Sequence, residues 1–336
     1  MAAETTPAPP VYPVDMTVRH DFRYPPDQCD VRPRQRANLT LYREKRQAWL
    51  HLLDGDPEHA IHLQISGMMW ADAAYRAMNE TRRFATEQCP TAAVAGLLAE
   101  ALDHGYVATM ILAIGKLTEP ESGNQDKGVI SLCSILGDMR RQRHLMTREI
   151  FVCHDGLPYD PASSEERYYR ENPIVPGQGR WRATVGPDAF DTAEQVHATF
   201  DTLAGVCKMN RSADDLIRLE VFGEIEAHLN AEVVKRCKDL RDKFVAHAAT
   251  AHSRTVGNIA GFAITLDQIE SAQRSLVVAD HQIRRDLLWA GAGEPVPIPQ
   301  FDQFADLDRP FIPTERIGEI HDWWGKHASD QEAWLQ

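Results

Sequence analysis

Apolar residues recur at steps of three, four and seven over most of the chain, the spacing that puts them on one face of a helix. Ile61, Ile65, Met68, Tyr75 and Met78 mark one such stripe, and Val94, Leu98, Leu102, Tyr106, Met110, Ile114 and Leu117 the next. A helix is predicted over Thr40 to Leu53, stopped by Asp54-Gly55-Asp56, with Pro57 placed to open the following one. Leu132, Ile135, Met139, Met146 and Ile150 predict a further helix after the polar segment 118–128. Val196, Phe200, Leu203 and Cys207 predict another. Ser212, followed by Asp214 and Asp215, reads as the N-cap of a long helix carrying Phe222, Ile225, Leu229, Val233, Cys237, Leu240 and Phe244. Asn258 reads as the cap of a last long helix with Phe262, Leu266, Ile269, Leu276, Ile283 and Leu287 inward.

Prolines interrupt this pattern in three places. Residues 1–36 hold seven of them, which forbids a regular helix there. Residues 154–190 scatter prolines and glycines and read as a long loop insertion. After Ala292 the chain is Pro-rich again, ahead of a short helix near Thr314 to Lys326 that exposes Trp323 and Trp324. No long strand alternation occurs. The predicted fold is all-α: an arm and short helix over 1–57, a bundle of long helices over 58–292, and a C-terminal extension over 293–336.

Composition narrows the classes of function. The 336 residues carry a formal charge of −13, which argues against a coat for bulk nucleic acid, while leaving room for a local basic groove. The six cysteines include no C-x-x-C pair, so they read as reduced core thiols in a cytoplasmic protein. No apolar run of ~20 residues is seen and the N-terminus lacks the pattern of a signal peptide, so no membrane role is expected. Phosphate-loop, dinucleotide and hydrolase-elbow motifs do not occur, and no cofactor is expected. Glu58, His59 and His62, and likewise Glu224 and His228, have helical spacing for metal ligands, but no matching second pair completes a set, and no metal site is assigned.

The most informative stretch is Arg241-Asp242-Lys243-Phe244-Val245-Ala246-His247. An Arg, a polar residue and then a His within a few positions resembles the signature of the HEPN superfamily. The wider segments KDLRDKFVAHA and ILAIGKLTEPESGNQDKGVISLCSILGDM resemble its AbiU-like abortive-infection branch, in which a helix and short loop lead into a helix begun by Ser, here Ser131. The resemblance spans roughly residues 60–285 in layout and is sharp around 110–139 and 229–250. It implies a HEPN-like helical bundle and a metal-independent endoribonuclease or toxin acting in phage defence. Two protomers would set their motifs face to face and leave 2′,3′-cyclic phosphate ends. In that chemistry the nucleophile is the RNA's own 2′-hydroxyl. His247 is the acid or base, Arg241 the planar charged fork for the phosphate, and Asp242 a supporting group. Some members carry a modified Tyr two residues past the His; Ala249 stands there in this chain.

Helix geometry resists this assignment, because residues six apart in a regular helix lie about 120° from each other. For Arg241 and His247 to meet one phosphate, the helix has to loosen near Ala246, or the two groups have to come from different protomers. Lys235, Arg236, Lys238 and Lys243 form a basic cluster on the same helix, read as RNA-binding. Arg140, Arg141, Arg143, His144 and Arg148 form a second cluster, read as a solvated face. Trp181 between two arginines is placed either to stack on a base or to anchor its own loop. The competing reading is a non-catalytic helical scaffold that binds RNA or a protein partner through its terminal arms.

Overall fold

The computed structural model describes residues 22–88, 96–122, 128–173, 182–256, 262–291, 302 and 313–335. These residues form helices and no named strand; one isolated antiparallel bridge pairs Thr147 with Leu216. The all-α class expected from the periodicity is what the chain adopts. Trp181 and Asn258 lie outside the described residues.

The chain divides into two compact units, one of residues 1–74 and 95–296, the other of 75–94 and 297–336. In the larger unit α1 (Arg36–Leu50) is followed by a wide π-turn, His51–Gly55, and α2 (Ile61–Gln88) begins only at Ile61. Pro57 therefore does not open α2. Instead Asp56 accepts the backbone N–H groups of Glu58 and His59, closing a turn ahead of the helix. Next come α3 (Leu97–Leu117), α4 (Leu132–Arg141) and α5 (Arg148–Cys153). The single helix predicted from Leu132 to Ile150 is two, because Thr147 takes an N-cap conformation and accepts from the Ile150 N–H.

The 154–190 segment is not wholly a loop. Asp160 caps and Pro161 opens α6 (Pro161–Glu171), where a proline costs nothing because its missing N–H has no partner to lose. Then follow α7 (Phe190–Ala204), α8 (Leu219–Leu229) and α9 (Glu232–Leu240). Ser212 caps no helix. Its backbone N–H instead donates to Asp215, and α8 starts later, at Leu219. The stripe predicted as one helix from Phe222 to Phe244 is broken at Asn230-Ala231; Cys237 and Leu240 are buried as predicted, but Val234 is buried in place of Val233, and Phe244 is only partly buried.

Beyond α9 lie α10 (Ala251–Val256) and α11 (Leu266–Gln282), capped by Thr265, which shares a reciprocal capping box with Gln268. α11 packs on α8, α9 and α3, and the seam between these four is one part of the core of the larger unit. Tyr106, Met110, Ile111, Ile114 and Leu117 of α3 are buried in it, with Phe222, Ile225 and Leu229 of α8 and Ile269, Ala272 and Leu276 of α11. By length and composition α3 also reaches what a bilayer span requires, which was not anticipated from the sequence.

Buried arginines tie the elements together. Arg148, expected on a solvated basic face, is fully buried and bonds Asp201 at 2.7 Å and Asp215 at 3.0 Å. The break before α5 turns it inward, so Arg141, His144 and Arg148 do not share a face. Arg284 pairs with Asp54 and Asp280, fastening the end of α11 to the π-turn after α1.

In the smaller unit the described α-helices are the C-terminal part of α2 and α12 (Ile317–Glu332). Trp323 and Trp324 are exposed on α12, as expected, and the Trp323 ring stacks on His327 at 5.2 Å.

Candidate functional site

α9 ends by widening rather than by stopping. After Leu240 the backbone makes a π-turn over Arg241–Val245, closed by the Ala246 N–H donating to the Arg241 carbonyl at 2.7 Å. The Ala249 N–H then reaches the Lys243 carbonyl at 3.3 Å, and the chain turns into α10. A π-turn takes one more residue than an α-turn, so side chains beyond it are rotated off the α-helical register. The loosening that the motif needs occurs here, between Arg241 and His247.

His247 lies in the bend after the π-turn and is exposed, with no side-chain hydrogen bond among the described residues. It is not a core histidine. Arg241 is only 15% exposed, and its guanidinium donates to Asp242 at 2.7 Å and to Glu119 at 2.5 Å. Burial pushes its pKa down, but those two carboxylates together hold it above the ordinary value, so the group carries a full charge. Asp242 is thus engaged with Arg241 and makes no hydrogen bond to His247.

Glu119 and Gly115 were missed from the sequence. Gly115, on α3, lies against the Arg241 side chain: a Cβ there would stand 2.6 Å from Arg241 Cδ. A glycine inside an otherwise apolar helix was the available signal, since such a residue often marks a close approach. Segment 118–119 is clamped from two sides. Lys238 Nζ donates to the Thr118 carbonyl at 3.3 Å, and Ser131 Oγ donates to the Glu119 carbonyl at 2.6 Å. Ser131 also caps α4 through a capping box with Ser134. The two segments singled out by sequence, around 110–139 and 229–250, therefore meet at Arg241.

The basic cluster is largely committed within the chain. Lys238 is used as above, Lys243 donates to Ser253 at 2.8 Å, and Arg236 donates to the Ala263 carbonyl at 2.7 Å while remaining exposed. Lys235 is exposed. In the second cluster Arg140 faces Glu226, and Arg141 faces Glu121 and Asp138. Beside the motif a groove of about 420 Å³ is lined by Asp103, His104, Arg236, Phe262 and Gln268. Phe262 contacts Phe244 of the π-turn at a ring separation of 5.6 Å, so groove and motif share a wall.

Of the spaced metal candidates, Glu58 and His59 are exposed and 3.9 Å apart, and among the described residues no three such groups gather. Cys29, Cys153 and Cys237 are buried free thiols, while Cys207 is exposed rather than in the core. Compared with family models, curated proteins and solved structures, the chain matches none of them, so the residues of this site carry the functional reading alone.

Proposed function

We propose that the chain is a metal-independent endoribonuclease of HEPN type that acts as a homodimer in phage defence. The observation that carries the reading is the π-turn between Arg241 and His247, which takes the exposed imidazole off the α-helical register that would hold it away from the Arg241 face. One His247 takes the proton of the RNA 2′-hydroxyl, whose oxygen attacks the adjacent phosphorus. His247 of the second protomer returns a proton to the departing 5′-oxygen, leaving a 2′,3′-cyclic phosphate. Arg241 stabilises the charge gathering on the phosphate, and to do so it exchanges Glu119 for a phosphate oxygen. The groove beside Phe262 and Arg236 gives an unpaired strand a stacking surface and a cation. The test is incubation of purified protein with single-stranded RNA in EDTA. Cleavage with cyclic ends is expected, and its loss in His247→Ala with folding unchanged.

One observation favours a second reading, a non-catalytic helical scaffold that binds RNA or protein. Arg241 is already closed between two carboxylates and shielded by Gly115, as a structural tie would be. Under that reading, replacing His247 changes nothing measurable.

A further inference from the structure

α12 has a two-sided sequence and a bare apolar side. Ile317, Ile320, Trp323 and Trp324 recur at steps of three, four and seven, so they share one face about 120° wide, and Trp334 in the last turn of the chain continues it. These five side chains are between 43% and 77% exposed, and no residue of the helix is buried. A helix of 16 residues is marginal in water on propensity alone and takes its stability from packing of its apolar face. Pairing two such tryptophan-rich faces removes on the order of 1,000 Å² from water, the least that a specific interface needs.

The charges along one edge of the face select what covers it. Arg316, Glu319, Lys326 and Asp330 line the same flank and are all exposed. Arg316 bonds Glu319 within the helix at 2.7 Å, whereas Lys326 and Asp330 have no ion pair among the described residues. In chain order the four signs are plus, minus, plus, minus, and in reverse order they are minus, plus, minus, plus. Two antiparallel copies of a helix bring the same flank of each together, so here every cation meets an acid. With the two-fold axis near Trp323, Arg316 stands opposite the partner's Asp330 and Glu319 opposite the partner's Lys326, in one register to within about one residue, a rise of about 1.5 Å. A parallel pair would instead lay this flank against the other one, where Glu332 brings a like charge to Asp330. A bilayer with anionic lipids favours a basic polar side, and the polar side here carries Glu319, Asp322, Asp330 and Glu332 against Arg316 and Lys326.

We infer that α12 pairs antiparallel with α12 of a second copy of this chain, its tryptophan face buried in the pair and its charged flank setting the register. The pairing uses neither Arg241 nor His247, so it goes beyond the proposed cleavage and stands apart from it.

The experiment is hydrogen exchange of the full chain, read by mass spectrometry on peptides covering residues 317–332 at low and high protein concentration. Exchange there should be slower by about ten-fold or more at the high concentration. Trp323→Ala with Trp324→Ala should lose that slowing. So should Arg316→Glu with Lys326→Glu, and so should Glu319→Lys with Asp330→Lys, each taken alone, because every copy then repels its like. An equimolar mixture of these two charge variants should recover the slowing, which a helix that had merely come apart would not do. His247→Ala should behave as the parent does. A further arm adds phosphatidylcholine vesicles at the low concentration, where no slowing is expected. Exchange independent of protein concentration, no recovery on mixing, or slowing by vesicles alone would overturn the inference.

Discussion

The guanidinium of Arg241 donates to the carboxylate of Glu119, a residue 122 positions earlier in the chain, at 2.5 Å. The pair joins the end of α3 to the π-turn after α9. Under the proposed function, an RNA phosphate would have to compete with this carboxylate for the same fork. The pair is partly exposed, and such pairs contribute about 1 kcal/mol or less. Glu119→Gln should therefore raise cleavage at subsaturating RNA by up to about five-fold and steepen its salt dependence. Initial rates over a salt series check this, and a fall in rate would show that Glu119 positions Arg241 rather than restrains it.

Gly115 gives a second handle on the same pair. An alanine in the helix gains about 1 kcal/mol of propensity over glycine. Its Cβ would also occupy the space of the Arg241 side chain and drive the guanidinium off Glu119 and Asp242. The two effects oppose each other, so Gly115→Ala should leave stability within about 1 kcal/mol of the parent while lowering RNA cleavage. Urea unfolding and cleavage rates on one preparation separate them.

The sequence carried the stripes but not where they break. The spacing of Phe222, Ile225 and Leu229 holds in α8, yet the stripe resumes at Val234 rather than Val233, because the chain turns at Asn230-Ala231. Neither residue is a strong breaker in periodic text. Pro161 looks like an interruption in the periodic pattern yet opens a helix, since its meaning depends on Asp160 standing before it as a cap. Arg148 looks like a surface residue in sequence because its partners, Asp201 and Asp215, are 53 and 67 residues away. At the site, Arg241 and His247 were legible as a local motif. Glu119 was not, because ion pairs between distant segments leave no periodic trace.

Arg148 offers a test of the buried scaffold. It is fully buried between Asp201 and Asp215, with its guanidinium 4.8 Å from the centre of the Phe200 ring. Arg148→Met keeps much of the volume but leaves Asp215 without its ion partner, while Asp201 keeps Arg211. Breaking a buried pair from one side costs about 3–5 kcal/mol. A loss near the lower end of that range is expected in urea unfolding, and a loss under about 1 kcal/mol would contradict this role.

His154 sets a pH dependence. Burial first, and then the nearby charge of Arg46, lower its pKa from 6.5 to about 3. Because the folded value lies below the ordinary one, unfolding takes up a proton anywhere between the two. Stability is therefore undiminished above pH 6.5 and falls as the pH drops towards 3. The slope approaches about 1.4 kcal/mol per pH unit between the two values. His154→Gln should flatten the dependence of unfolding free energy on pH between about 6.5 and 4.5 relative to the parent. An identical slope in both proteins would show that the imidazole is not held neutral.

The central claim is tested most directly by the ends left on RNA. Single-stranded RNA incubated with the protein in EDTA, then resolved and probed for its termini, should give 2′,3′-cyclic phosphate products with the parent chain and none with His247→Ala, at equal melting temperature. Equal cleavage by both proteins, or none by either, would contradict it.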